Sequence, residues 1–301
     1  MKEIVLEIEN LEKTYAGQAQ PALTGITFAV KRNERVGIIG ANGSGKTTLF
    51  RLILNLIRPD KGRIKLMGQT DLEQAKIHVG FVSEHQEGLE NFTPDELLDY
   101  AGQMAGMQKS EIHKRKVELL DWVELTDKKN DLVSGFSKGM IQRLQLALAL
   151  IHQPEILLFD EPMSGLDPSG QKSLRSLIKK LNDHTFLYAS HNLDEIEDLC
   201  DRVIILKQGK MINDLKIGTY QREIFIIRVD KSINSLLKKF PAIEICQVWN
   251  FSDGHEYELC AEVPLFQEFL VACKEKNIHI KRIRSRNLLE DLYEKFVKNA
   301  H

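Results

Sequence analysis

The sequence predicts an α/β fold with a largely parallel β-sheet, an antiparallel β subdomain before it and a small α+β domain after it. Three apolar runs of strand length, 35–40, 155–160 and 185–190, are separated by segments with helical periodicity. Strands that alternate with helices favour a parallel sheet whose faces are covered by helices. Near residue 218 the order of the elements changes, which indicates a second domain.

The first apolar run fixes the start of the larger domain. Residues 4–30 alternate in the manner of antiparallel strands, and the run 35–40 closes with glycine, as expected of a buried strand that leads into a loop. A helix is predicted over 46–56, ending before Pro59, because the residue before a proline disfavours helical backbone.

The middle of the chain is predicted to be mostly helical. Apolar residues recur at helical spacing between Asp95 and Val123, which indicates a helical insert over about 84–133. Helical periodicity follows over 138–151, and a shorter helix is predicted over 174–181. The insert therefore separates the first apolar run from the other two.

The C-terminal part has the element order of a ferredoxin-like α+β fold. We place the two domains at 1–218 and 219–301. The predicted elements of the second are a strand 223–229, a helix 232–239, strands 243–248 and 257–263, a helix 265–276, a strand 278–283 and a last helix 288–297. Its strands carry no convergent polar cluster, which favours a dimer brace over a ligand-sensing module, and both roles stay open.

Composition argues against several classes of protein. The chain of 301 residues has a formal net charge of -2, so nothing in it attracts nucleic acid or anionic lipid in general. Its four cysteines lack the spacing of a zinc site or a disulfide framework. No apolar stretch reaches the ~18–20 residues that span a bilayer, and the N-terminus does not resemble a secretory signal. We therefore expect a cytoplasmic protein.

A phosphate-binding loop is predicted between the first buried strand and the first helix. The segment 40–47 matches GxxxxGK[ST], and its glycines allow backbone N–H groups to cradle phosphate oxygens at a helix N-terminus. Lys46 is expected to reach the β- and γ-phosphates, Thr47 to bind Mg²⁺ and Thr48 to contact the α-phosphate. The candidate nucleotide-binding residues of this loop are Gly40, Asn42, Gly43, Ser44, Gly45, Lys46, Thr47 and Thr48.

Two adjacent acids end the second apolar run. A buried strand would deliver Asp160 to the metal, and Glu161 would then lie one residue further on, where it can polarise a water for attack on the γ-phosphate. A merely solvated strand end does not require two acids at the same edge of a sheet. ATP and Mg²⁺ are therefore the predicted ligands.

Together these segments resemble the ATP-binding cassette (ABC) ATPases. Ser137–Arg143 is similar to the signature motif of that family, 164–167 to its D-loop and His191 to its switch histidine. The resemblance covers about 1–218 and implies the ABC form of the P-loop NTPase fold. It also implies that Tyr15 stacks on adenine and that His191 takes part in hydrolysis. Ser137 and Gly139 would then face the γ-phosphate held by the opposite subunit, with Asp167 among the nucleotide-binding residues.

Three positions depart from the family pattern. Lys138 and Met140 replace a glycine and a glutamine of the signature, and Glu84 occupies the place of the Q-loop glutamine. Glu84 is expected to orient water or to approach Mg²⁺. The departures resemble the ATPase subunits of ABC-2-type exporters for drugs, polysaccharides, lantibiotics or sodium, whose terminal segment is similar to 286–293.

The resemblance implies a mechanism and a set of partners. Nucleotide would be sandwiched between two subunits, with an identical chain as the favoured partner, and hydrolysis would drive a separate integral membrane permease that docks on the helical insert. The chain would then lie on the inner face of the cell membrane and bind no nucleic acid. The alternative is a soluble ABC ATPase that acts on DNA or ribosomes, although the long coiled coil or second cassette of such proteins is absent from the sequence.

Overall fold

The structure, a computed structural model, describes residues 3–84, 88–217 and 222–287. Packing divides the chain into two compact units, Met1–Leu215 and Lys216–His301. The predicted boundary between 218 and 219 lies outside the described residues and stays a prediction, as does the helix predicted over 288–297.

The first unit contains the following elements. Its strands are β1 (Ile4–Lys13), β2 (Leu23–Lys31), β3 (Arg35–Ile39), β4 (Lys61–Leu66), β5 (Val79–Val82), β6 (Ile156–Asp160), β7 (Thr185–Ser190), β8 (Arg202–Lys207) and β9 (Lys210–Lys216). Its helices are α1 (Lys46–Ile53), α2 (Leu72–Ala75), α3 (Pro94–Met104), α4 (Lys109–Trp122), α5 (Lys138–Leu150), α6 (Pro168–Lys179) and α7 (Leu193–Leu199).

A six-stranded sheet forms the centre of this unit, in the order β5-β6-β7-β3-β8-β9. The pairs from β5 through to β8 are all parallel. Strands β6 and β7 are buried along their whole length, as expected of a parallel sheet with covered faces. Because parallel neighbours end at the same edge, the carboxyl ends of β3, β7 and β6 lie side by side, where α/β sheets bind their ligands.

A smaller antiparallel sheet packs against the central one. Its order is β2-β1-β4, and Ile8 of β1 lies opposite Phe28 of β2 and Ile64 of β4. These apolar residues share one hydrophobic cluster with β3, α1 and β6. The predicted antiparallel β subdomain and parallel sheet are therefore confirmed.

Helices α3 and α4 form the predicted insert. A capping box starts α3, in which the N–H of Glu96 donates to the Thr93 hydroxyl at 3.2 Å and the N–H of Thr93 donates to the Glu96 carboxylate at 2.9 Å. Lys116 of α4 pairs with Asp95 at 2.8 Å and Asp99 at 2.9 Å, which ties the two helices together. In the part of the chain that the structure describes, no helix is both long and apolar enough to cross a bilayer.

The second unit has the predicted βαββαβ order. Its elements are β10 (Arg222–Val229), α8 (Asn234–Leu237), β11 (Glu244–Phe251), β12 (Gly254–Glu262), α9 (Val263–Glu275) and β13 (Ile280–Asn287). The strands pair in the order β11-β12-β10-β13, with every pairing antiparallel, as in the ferredoxin-like fold. A separate hydrophobic cluster, which includes Phe225, Tyr257 and Phe269, packs between this sheet and its helices.

Three predicted helices are those whose lengths differ most from the structure. Helix α1 stops at Ile53 because Asn55 adopts a left-handed conformation with φ 55°. Helix α6 begins at Pro168 rather than at 174, since Asp167 caps it and proline is favoured at the first helical position. Helix α8 is limited to four residues, Asn234–Leu237.

Candidate functional site

The predicted phosphate-binding loop connects β3 to the N-terminus of α1. Gly45 precedes the helix with φ 108°, in a region that glycine adopts readily. A Cβ on Gly40 would lie 2.4 Å from both the Ser44 Oγ and the carbonyl oxygen of Leu206, so the tight path of the loop requires glycine there. The loop therefore has the backbone that close approach to a phosphate demands.

Lys46 is held at the base of this loop. It is only 5% exposed, and its Nζ donates to the carbonyl oxygen of Gly40 at 2.7 Å. The same ammonium pairs with the Glu161 Oε1 at 2.9 Å. The structure thus joins the loop after β3 to the acid after β6, as expected for two ends of parallel strands in one sheet.

The two adjacent acids have different surroundings. Asp160 ends β6 and is 4% exposed, and burial raises the pKa of its carboxyl, while a hydrogen bond from Thr47 opposes that rise and the charge of Glu161 adds to it. Glu161 has φ 48°, and its N–H donates to the carbonyl oxygen of Ala189 in β7 at 3.0 Å. The turn after β6 is therefore tied to the neighbouring strand.

His191 follows β7 directly and contacts the second acid. Its Nδ1 hydrogen-bonds the Glu161 Oε2, while the imidazole remains 55% exposed. The carboxylate of Glu161 therefore lies between a buried ammonium, that of Lys46, and an imidazole. A carboxylate held in this way can orient and deprotonate a water without rotating away.

A cleft of about 570 Å³ opens above these groups. Of the predicted residues, it is lined by Tyr15, Asn42, Gly43, Ser44, Gly45, Lys46, Thr47, Thr48, Glu84, Glu161 and His191. Gly40 and Asp160 do not line it, and Asp160 lies behind Thr47. The hydroxyl of Tyr15 is 3.3 Å from the Thr48 Oγ1, which places the aromatic ring at the mouth of the loop.

Glu84 reaches this cleft from the end of β5 and is held by residues that are not among the predicted site residues. The Ser164 hydroxyl donates to the Glu84 Oε1 at 2.9 Å, and the Gln142 Nε2 donates to its backbone carbonyl at 3.3 Å. Gln145 accepts from the N–H of Ser83 at 3.1 Å. Two glutamines three residues apart on the apolar face of α5 were the signal that could have indicated this buried support.

The remaining predicted residues lie elsewhere. Ser137, Gly139 and Asp167 line a second cleft of about 480 Å³, and none of them lines the first. The Ser137 hydroxyl accepts from the N–H of Met140 at 3.3 Å and caps α5, and Asp167 accepts from the N–H of Gly170 at 3.1 Å and caps α6. The N-termini of α5 and α6 therefore both lie at the second cleft, and their positive dipole ends favour the binding of an anion there.

The residues present also suit a magnesium ion. Asp160 Oδ1 is buried and has no hydrogen-bond partner within the described ranges, and the Thr47 hydroxyl bonds the same carboxyl. Among the residues described, there is no cluster of three His, Cys, Asp or Glu that could hold a metal. One carboxylate and one hydroxyl fit Mg²⁺, which usually completes its shell with water and substrate phosphates.

Comparisons with known proteins agree with this geometry. The family model described as ABC transporter matches residues 23–164. The uncharacterised ABC transporter ATP-binding protein YxlF of Bacillus subtilis is 32% identical over 300 residues, 97% of this chain and 99% of YxlF. The Nod factor export ATP-binding protein I of Ralstonia nicotianae is 35% identical over 215 residues, 69% of this chain and 66% of its own length.

Solved structures lead to the same family. CbiO1 of Clostridium perfringens, part of the ABC transporter complex cbiONQ, superposes with a TM-score of 0.65 at 27% identity, over 72% of this chain and 90% of its own. The relatives favour a transporter subunit over a soluble ATPase that acts on nucleic acid or ribosomes. The chain belongs to the ATP-binding proteins of ABC transporters, which bind ATP and hydrolyse it to power transport.

Proposed function

We propose that two copies of this chain hydrolyse ATP with Mg²⁺ in composite sites, and that this cycle drives a separate membrane permease of an exporter. The observation that carries the proposal is the separation of the predicted residues into two clefts. Lys46, Thr47 and Glu161 line one, whereas Ser137, Gly139 and Asp167 line another. A nucleotide bound in the first cleft of one copy would meet the second set only on a partner.

The charges of the two clefts support such a sandwich. The γ-phosphate would bind Lys46 of one copy and the N-terminus of α5 of the other, which begins at Lys138 and bears its positive dipole end. Hydrolysis cleaves the γ-phosphate from ADP, and release of the free phosphate would remove the shared anion and with it the attraction between the copies. Closure and opening then form a two-state lever for a permease.

Each residue of the first cleft has a proposed role. Thr47 and Asp160 would hold Mg²⁺, which supplies charge neutralisation at the phosphates. Glu161, kept in place by Lys46 and His191, would accept a proton from the attacking water. Glu84 would approach the metal or its water from the end of β5, and Tyr15 would stack on adenine.

The partners are proposed from the relatives and the sequence. CbiO1 is part of a transporter complex, which supports a permease partner for this chain. The export protein of Ralstonia nicotianae, together with the Ser137–Met140 signature, supports an exporter. We place the chain on the inner face of the cell membrane, bound to its permease and not to nucleic acid.

Mixing two inactive variants tests the composite site. A Lys46→Ala chain lacks the phosphate contact, and a Ser137→Arg chain blocks the second cleft. Their heterodimer keeps one intact site, so the mixture should recover up to about a quarter of wild-type ATPase activity, since half of randomly paired dimers are mixed and each holds one site. The measurement is phosphate release against mixing ratio.

The matched control combines both changes in one chain. A Lys46→Ala, Ser137→Arg double variant mixed with Lys46→Ala holds no intact site and should stay inactive. Failure of the first mixture to recover activity, with heterodimers demonstrated by differential tagging, would reject the composite site and leave ATP binding in the first cleft unaffected.

A further inference from the structure

His191 stands on a turn between β7 and α7, and packing does little to hold its side chain. The imidazole is 55% exposed and contacts the Glu161 carboxylate through Nδ1. Within the described residues, its direction therefore depends on the backbone of residues 190–192 and on the contact with Glu161. A group that fixes this backbone would control how His191 meets Glu161.

Glu195 in the first turn of α7 is such a group. The Ser190 hydroxyl and the Tyr188 hydroxyl both donate to the Glu195 Oε2 at 2.9 Å. The Ser190 Oγ also accepts from the N–H of Asn192 at 3.0 Å. One carboxylate oxygen thus holds the residue before His191 directly and the residue after it through Ser190.

The burial of this carboxylate is costly for stability. Glu195 is 6% exposed, and no Lys or Arg is among its hydrogen-bond donors in the described chain. An acid in the first turn of a helix is favoured by the helix dipole, but the exposed Asp194 next to it already provides that effect. A protein is often at least as stable when apolar residues of similar volume replace its buried charged groups.

Glu195 also lies close to the residues proposed for hydrolysis. A small cavity of about 180 Å³ is lined by Glu195, Ser190 and His191 together with Glu161. Glu195 is not among the residues that line the first cleft, the cleft of about 570 Å³ around Lys46 and Thr47, here called the phosphate cleft. It therefore lies next to Glu161 and His191 but outside the cleft in which the nucleotide is proposed to bind.

We propose that Glu195 is a positioning residue for ATP hydrolysis, which holds through Ser190 and Tyr188 the turn that presents His191 to Glu161. This inference rests on the role proposed for His191, which is to keep Glu161 in place. Glu195 acts by accepting two hydroxyl hydrogens, so what matters is an acceptor oxygen at this place.

Steady-state kinetics on the full-length chain test this role. Glu195→Met keeps the length of the side chain and removes the acceptor, so kcat should fall about 10-fold while the KM for ATP stays within about twofold. Glu195→Gln places a carbonyl oxygen at the same point and should restore kcat to within about threefold of wild type. Asp194→Met is the matched control and should leave kcat unchanged.

Two further variants make each outcome decisive. His191→Ala tests the role proposed for His191, and wild-type kcat in that variant would reject that role and with it the positioning role of Glu195. If His191→Ala loses activity ~10²-fold while Glu195→Met keeps wild-type kcat, or if Gln and Met lose equally, the positioning role is wrong. Should Glu195→Met fail to fold, Ser190→Ala removes one donor from the strand, and an unchanged kcat and KM there would overturn the inference.

Discussion

Both clefts of the first unit are lined by charged and polar residues, but these residues are buried and paired in one cleft and exposed in the other. In the phosphate cleft, Lys46 and Glu161 are nearly buried and contact each other. In the second cleft, Ser137 and Lys138 are exposed, and the polar side chains of Ser137 and Asp167 cap their own helices. Buried charge that is already paired is suited to chemistry, whereas exposed helix ends are suited to meeting a partner.

Because of this difference, we expect substitutions in the two clefts to respond differently to protein concentration. Substitutions in the phosphate cleft should change the rate of the reaction at any protein concentration. Substitutions in the second cleft that do not block it should change association, so higher protein concentration should restore activity by mass action. The second unit contributes no residue to the described lining of either cleft, and its loss should leave the chemistry intact.

The largest effect is expected for Glu161→Gln. The amide keeps the shape of the side chain but cannot accept a proton, so kcat should fall ~10²-fold or more at every protein concentration. ATP affinity should be retained because Lys46 and the loop remain, and the ATP-bound dimer should accumulate. Single-turnover hydrolysis and size exclusion with ATP measure the two parts.

Two outcomes would contradict the proposed role of Glu161 as the base. Near-normal turnover in Glu161→Gln would remove this residue from catalysis and would leave His191 or Glu84 to orient the water. A parallel loss of ATP binding would instead assign Glu161 a structural role, as the partner of the buried Lys46.

A smaller effect is expected for Lys138→Gln. Lys138 lies in the first turn of α5, where a positive charge opposes the helix dipole, and the variant should therefore be more stable by a few tenths of a kcal/mol. ATP-driven dimerisation should weaken about 3- to 10-fold because a charge facing the partner's phosphates is lost. Raising the salt concentration should narrow the difference between variant and wild type.

The exposed Lys172 of α6 provides the control for this change. Lys172→Gln removes the same charge from a helix of the same unit, but Lys172 does not line the second cleft. It should alter neither dimerisation nor its salt dependence. Equal behaviour of the two variants would show that Lys138 acts through net charge alone.

The sequence was most informative where the chemistry is carried by neighbouring residues. The loop at 40–47 and the acids Asp160 and Glu161 could be predicted as site residues because a strand end and a helix start fix their geometry locally. The βαββαβ order likewise predicted the second unit, since strand order follows from the connections. Of the segment that follows β5, only Glu84 was predicted as a site residue.

Contacts between distant segments could not be derived in this way. Ser164 supports Glu84 across 80 positions of sequence, and this depends on where the chain folds back. Glu195 lies in an acidic segment whose sequence is typical of a solvated helix face. Its burial is set instead by the packing of α7 against β7. The start of α6 was missed although Asp167 and Pro168 form a recognisable cap, because the apolar periodicity begins later.

The smallest effect on the chemistry is expected from removal of the second unit. A chain that ends near residue 218 keeps every residue that lines the two clefts and the hydrophobic cluster of the first unit, whereas the cluster around Phe225, Tyr257 and Phe269 is removed whole. ATP affinity should therefore stay within about twofold of the full chain, since Tyr15, Lys46 and the loop are retained.

If the second unit braces the dimer, turnover should fall at low protein concentration and recover at high concentration, because the brace only raises the effective concentration of the partner. A ligand-sensing module predicts curves that differ at all concentrations once its ligand is present. ATPase activity measured against protein concentration for both chains separates these roles, and coincident curves would reject the brace that we favour.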